Sequence, residues 1–164
     1  MPCITAAAAG GANRCAFLDM IAYSEIGPQL LAESDNGYNV LVGSTPAKPL
    51  LFTSYATHPD VFNPALDSTA AGRYQLLFRY YAYYEKFLGL TDFSPLSQDK
   101  IALQQIKERS ALTSIDSGDL DHAIFLCSNI WASLPGNHYA QHINPLTTLQ
   151  TAYASAGGSV TATA

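Results

Sequence analysis

Glu25 and Asp35 are the carboxylates whose placement could do chemistry. Glu25 closes the run AFLDMIAYSE, residues 16–25, in which Ala16, Phe17, Met20 and Ile21 recur at helical spacing and form an apolar face. The helix so predicted starts at Asn13, a suitable N-cap, and runs to about Ser24, where Ile26-Gly27-Pro28 loosens it. A carboxyl at that end meets the negative pole of the helix dipole, and partial burial beside apolar residues acts in the same direction. A carboxyl kept protonated near neutral pH is suited to protonating a glycosidic oxygen. A solvated glutamate at a frayed helix end is the plainer alternative. Asp35, just before Asn36-Gly37, is a candidate second carboxylate of the kind a conventional glycosidase sets across the scissile bond. Asp-Asn-Gly is also ordinary turn chemistry.

The tract STAAGRYQLL, residues 68–77, is the next candidate. Its small residues and Gly72 allow close approach of backbone to a ligand, and Arg73, Tyr74 and Gln75 supply hydrogen-bonding groups. The plainer alternative is a helix capped by Ser68 or Thr69. Tyr80, Tyr81, Tyr83 and Tyr84, which follow, suit packing better than a sugar platform. His138 and His142 have i, i+4 spacing, but in a segment broken by Pro, Gly and Asn, with neither an HExxH pattern nor a CxxC pair. No metal and no cofactor is therefore expected. The chain also lacks a GxSxG elbow, a Walker loop and a GxGxxG fingerprint.

These residues must be positioned by a mainly helical chain. Asn36-Gly37 followed by YNVLVG (38–43) reads as a hairpin signal, with LLFTSY (50–55) as its pairing partner. A loop with Pro and Asn spans 56–65. A long aromatic helix then ends at Gly89, and Ser94-Pro95 opens a helix to about Arg109. Asp116 to Gly118 punctuates, a helix follows to about Ile130, and residues 131–136 break it. Asn144-Pro145 starts a last helix, stopped by Gly157-Gly158. The layout is α+β, a mainly helical domain with a small N-terminal antiparallel β-sheet, suited to two lobes flanking a cleft. Residues 1–12 are expected as a flexible tail, 13–158 as a single domain and 159–164 as a second tail.

Composition limits the function. The 164 residues carry 48% hydrophobic and 13% charged residues, ordinary for a globular protein with a real core. The net charge of −5, with scattered basic residues, argues against nucleic acid and against long-range attraction to an anionic polymer. No apolar run reaches membrane-spanning length, so no membrane insertion is expected, and the N-terminus lacks the basic start of a secretory signal. Cys3, Cys15 and Cys127 are odd in number and irregularly spaced, which argues against a disulfide framework. A monomer is the default expectation.

Taken in order, AFLDMIAYSE (16–25), GYNVLVG (37–43), LFT (51–53), STAAGRYQLL (68–77), LGLTDFSPLSQD (88–99), ALQQIKERSAL (102–112) and CSNIWASLPG (127–136) resemble the lambda-type phage endolysins, lytic transglycosylases of the lysozyme-like superfamily. The resemblance covers nearly the whole chain between the two tails. It implies a lysozyme-like fold and cleavage of the peptidoglycan glycan strand between N-acetylmuramic acid and N-acetylglucosamine. Glu25 would be the catalytic acid and then the base, closing a 1,6-anhydro ring without water. Arg73, Tyr74, Gln75, Tyr55, Asn137 and Tyr139 would be the substrate-binding residues, on the signature tract and on groove lips near 55–64 and 134–142. It further implies accumulation in the host cytoplasm until a holin opens the membrane and releases the enzyme to the periplasm. The acidic Asp35 departs from the family pattern and keeps a hydrolytic muramidase, using Glu25 and Asp35, as the alternative. A zinc peptidoglycan amidase is a more remote one.

Overall fold

The computed structural model describes residues 1–136 and 143–161. Among them the chain forms eight helices: α1 (Ala6–Ala9), α2 (Ala12–Ile26), α3 (Pro28–Glu33), α4 (Phe78–Leu88), α5 (Pro95–Glu108), α6 (Leu112–Ser117), α7 (Leu120–Cys127) and α8 (Leu146–Ser155). Residue contacts group them into two compact units, one of Met1–Ser24 with Ala102–Ala164, the other of Glu25–Ile101.

In the first unit, α2 carries the apolar face expected from its spacing: Ala16, Phe17, Met20 and Ile21 are fully buried, and Leu18 and Ala22 join them. Burying a side chain of this size is worth roughly 1.5–3 kcal/mol, so this helix is held by its packing rather than by propensity. Ile106, Ile115, Leu120, Ile124, Leu149 and Tyr153 are buried in the same unit. Residues 1–12, expected as a flexible tail, hold α1, capped by the Thr5 side chain, with Ile4 and Ala9 buried. At the other end Ser159 N donates to Asn13 Oδ1 at 3.0 Å, and Thr161 Oγ1 donates to Ser117 O at 3.0 Å. Arg14 grips Asp116 through two parallel bonds of 2.8 and 2.6 Å, which hold the Asp116 carboxyl below its ordinary range. Cys127 is buried in α7, and desolvation pushes its thiol up to about 12, as befits a small apolar core residue.

The second unit departs from expectation in three places. The sheet is replaced, among the described residues, by isolated bridges. Val40 pairs with Leu51, in the anticipated partner segment, but Leu41 pairs with Ala71, which was not anticipated, and no ladder extends from either bridge. Two causes stop it: Gly43 turns left-handed at φ 86°, and the Val42 carbonyl accepts the Asn63 side-chain amide at 3.2 Å. The helix expected from Ser68 or Thr69 begins only at Phe78, because Gly72 (φ 81°) and Gln75 (φ 50°) are left-handed. The tract instead closes a tight hairpin in which Ala71 and Leu76 exchange two backbone bonds of 3.0 Å. Thr69 still caps α4, accepting Phe78 N at 3.1 Å from nine residues upstream. Gly27-Pro28, expected only to loosen the chain, opens α3 with proline in its first turn.

The core of this unit gathers Phe52, Ala71, Leu76, Tyr81, Tyr84, Phe93 and Ile101. A smaller cluster joins Ile26, Leu30 and Val40. Tyr81 and Tyr84 thus pack inward while Tyr80 and Tyr83 are exposed, the alternation that helical spacing imposes on four tyrosines.

Candidate active site

Glu25 is the penultimate residue of α2 and half-buried. The last four carbonyls of a helix lack intrahelical donors, so the backbone around Glu25 must find partners elsewhere. One is found for the peptide that joins it to Ser24. Asn144 Nδ2 donates to Ser24 O at 3.2 Å and to Ser24 Oγ at 3.0 Å, and Ser24 Oγ lies 2.7 Å from Ser133 Oγ. The sequence marks Asn144 only as part of a helix start and Ser24 only as a helix end, and nothing local in it joins them to Ser133.

Asp35 lies in the turn that Asn36-Gly37 announces. Asn36 and Gly37 have φ 50° and 85°, and Tyr38 N donates to Asp35 O at 2.8 Å. The side chain is exposed, and its Oδ2 accepts the Tyr55 hydroxyl at 2.6 Å. Burial raises the Tyr55 pKa, and the bond to Asp35 adds to it, so the phenol remains a donor throughout the working range. Two residues singled out separately in the sequence are therefore one hydrogen-bonded pair.

The signature tract is arranged otherwise than expected. Arg73 and Tyr74 were expected to contact substrate, yet both are buried, with 1% and 4% exposure. Arg73 Nη1 donates to Asn36 O, and its guanidinium lies 5.3 Å from the Tyr38 ring centre. The Tyr74 hydroxyl donates to Asp99 Oδ1 at 2.6 Å, where the Tyr38 hydroxyl also donates at 2.8 Å. Burial drives the Tyr74 pKa far up, and Asp99 reinforces it. Gln98 completes the knot: its Nε2 donates to Tyr38 O (3.0 Å) and Phe93 O (2.9 Å), and its Oε1 accepts Arg73 N (2.9 Å). A Cβ on Gly72 would overlap the Gln98 amide, which is why the tract needs glycine there. Gln75, unlike Arg73 and Tyr74, is half-buried rather than buried. It is held in a left-handed conformation, with Nε2 donating to Gly72 O at 2.9 Å and Val40 O at 3.3 Å. A non-glycine residue in that region costs about 1–3 kcal/mol and persists where its surroundings enforce it.

His58 was missed by the sequence reading. It is buried, with Nε2 at 2.8 Å from Leu76 O and Nδ1 accepting Asp60 N at 3.1 Å, so it is held as the neutral Nε2–H tautomer. The rings of Phe78, Tyr81 and Phe93 surround it at 4.8–5.8 Å. Asn137, Tyr139, His138 and His142 lie outside the described residues. Among the described residues no group of three or more His, Cys, Asp and Glu is placed to hold a metal ion, and no helix is long and apolar enough to cross a membrane.

Comparison with known proteins agrees with this arrangement of elements. The family profile described as Endolysin matches residues 15–160. The endolysin of Escherichia phage lambda is 52% identical over 152 residues, covering 90% of this chain and 93% of its own. The endolysin of Escherichia phage P2 is 46% identical over 154 residues, covering 89% and 93%. Among solved structures, the bacteriophage lambda lysozyme complexed with a chitohexasaccharide superposes with a TM-score of 0.83 at 50% identity, covering 92% of this chain and 97% of that one. A second structure of lysozyme from bacteriophage lambda gives 0.79 at 51% identity, with coverage of 92% and 97%. The chain is a member of the endolysin family, with the fold of lambda lysozyme.

Proposed function

We propose that this peptidoglycan-cleaving phage lysis enzyme works as a lytic transglycosylase, with Glu25 as its one catalytic carboxyl. The observation that carries the reading is a half-buried glutamate at the end of α2 in a chain of this family. Glu25 gives its proton to the leaving N-acetylglucosamine oxygen as the bond to C1 of N-acetylmuramic acid breaks. The resulting carboxylate then takes the proton of the muramic 6-hydroxyl, whose oxygen closes on C1 to form the 1,6-anhydro ring. The nucleophile belongs to the substrate, so no second catalytic carboxylate is needed. Asp35, bonded to Tyr55, then serves with Gln75 to hold the glycan. Asn137 and Tyr139 are assigned to the same strand from the family resemblance. A relative solved with a chitohexasaccharide supports a glycan of N-acetylated sugars as ligand. Arg73 and Tyr74 support the signature hairpin from beneath instead of touching substrate. In the cell, the enzyme would accumulate in the host cytoplasm and reach the wall once a holin opens the membrane.

A second reading, hydrolysis by water with Asp35 as partner, is favoured by one observation: Asp35 is exposed to solvent. Digestion of purified murein followed by mass spectrometry separates the two. The expected products end in anhydro-muramic acid, one water lighter than reducing ends. They vanish with Glu25→Gln and persist with Asp35→Asn. Reducing ends that depend on Asp35 would establish hydrolysis, and full activity of the Glu25 variant would overturn the assignment.

A further inference from the structure

We propose that Asn144 is a positioning residue for the catalytic glutamate, acting through the peptide that bears it; this rests on the assignment of Glu25 above. Helix α2 ends at Ile26, so Ser24 O is one of the carbonyls that the helix cannot satisfy by itself. That carbonyl belongs to the Ser24–Glu25 peptide, whose plane fixes the N and Cα atoms of Glu25 in the last turn of α2. Asn144 Nδ2 donates to it at 3.2 Å and to the Ser24 hydroxyl at 3.0 Å, so one amide group fixes both the backbone and the side chain of Ser24. Ser133 closes the arrangement from a third side, 2.7 Å from Ser24 Oγ, and its own carbonyl accepts Asn144 N at 2.9 Å. The four bonds form a closed circuit among Ser24, Ser133 and Asn144. A terminal helical turn that would otherwise fray is thereby locked one residue before the proton donor. The amide does a second thing. Its N–H dipole faces a carbonyl in the last turn of α2 and offsets part of that helix's negative pole.

The amide is specifically required, because only a donor answers both Ser24 O and Ser24 Oγ. Asn144→Asp keeps the shape and replaces the donor with an acceptor that repels the carbonyl. The test compares Asn144→Ala, Asn144→Asp and Ser133→Ala with the wild type on purified murein. Each is measured for kcat, KM, pH–rate profile and thermal unfolding, with Ile124→Val in the core of α7 as a control for stability alone and Glu25→Gln as the inactive reference. Expected is a fall in kcat of about tenfold or more for both Asn144 variants, with KM within about twofold, since misplacing a reacting group costs rate more than binding. Ser133→Ala, which spares the carbonyl bond, should fall less. The acid-side inflection of the pH–rate profile should move in Asn144→Asp and stay in place in Ile124→Val. Wild-type kcat in the Asn144 variants, or losses no greater than those of a control equally lowered in melting temperature, would overturn the proposal. Should Asn144→Ala fail to fold, the Asn144→Asp and Ser133→Ala comparison decides alone. If Glu25→Gln stays active, the assignment of Glu25 fails and this inference falls with it. If Glu25→Gln is dead while the Asn144 variants match wild type, this inference alone fails.

Discussion

Asp99 is fully buried, and one of its oxygens takes two phenolic hydrogen bonds, from Tyr38 and Tyr74. Removing one donor leaves a buried acceptor with less than it had in water, a loss of about 1–3 kcal/mol. Tyr74→Phe should therefore lower unfolding stability in urea by that amount. Because Tyr74 faces inward, its effect on KM should be smaller than that of Gln75→Ala, a comparison steady-state kinetics can make. His58 gives a prediction in pH. Burial lowers its pKa, outweighing the Leu76 carbonyl and Asp60, which act the other way. The folded state thus binds the proton less readily than the unfolded chain, whose value is 6.5. The stability that follows is fully present above about pH 6.5 and is lost as pH falls below it through the folded value. Melting temperatures at pH 8 and pH 5 should fall further apart in the wild type than in His58→Gln, which cannot titrate. Equal shifts in both proteins would remove His58 as the cause.

At the scale of elements, the signature hairpin is the sharpest example of sequence and backbone disagreeing. Its glycine was read as room for a ligand, and the structure adds a different demand: a left-handed turn tucked against Gln98. Gly72→Ala should destabilise by about 1–3 kcal/mol from backbone strain alone, with overlap on Gln98 added to it. Near-native stability on chemical denaturation would refute this. What was legible here followed from periodicity and end signals. The buried face of α2 came from Ala16, Phe17, Met20 and Ile21, and the start of α5 from Ser94-Pro95. The start of α8 at Leu146 came from Asn144-Pro145. What was not legible depended on direction or on distance along the chain. Residue type shows that Arg73 and Tyr74 can form hydrogen bonds, not that they point inward. The Asp99 partners lie 61 and 25 positions away, beyond any local pattern. A left-handed Gln75 has no signature in its own identity. The helix end that carries Glu25 was legible, whereas the bonds of Ser133 and Asn144 to Ser24 were not.

For the molecule as a whole, a charge of −5 bears on how it meets an anionic wall. Its long-range field repels such a polymer, so contact must come from short-range fit. Raising ionic strength from about 20 to about 150 mM, which shortens the screening length, should leave lysis of purified walls unchanged or faster. A steep fall would point instead to a local basic surface that the net charge conceals. The stitching of the first unit carries another consequence. Asn13, at the head of α2, is hydrogen-bonded to Ser159, beyond α8, so two stretches far apart along the chain are stitched together within this unit. Drawing together residues 146 positions apart costs loop-closure entropy before the contact forms, so the head of α2 is secured late as this unit folds.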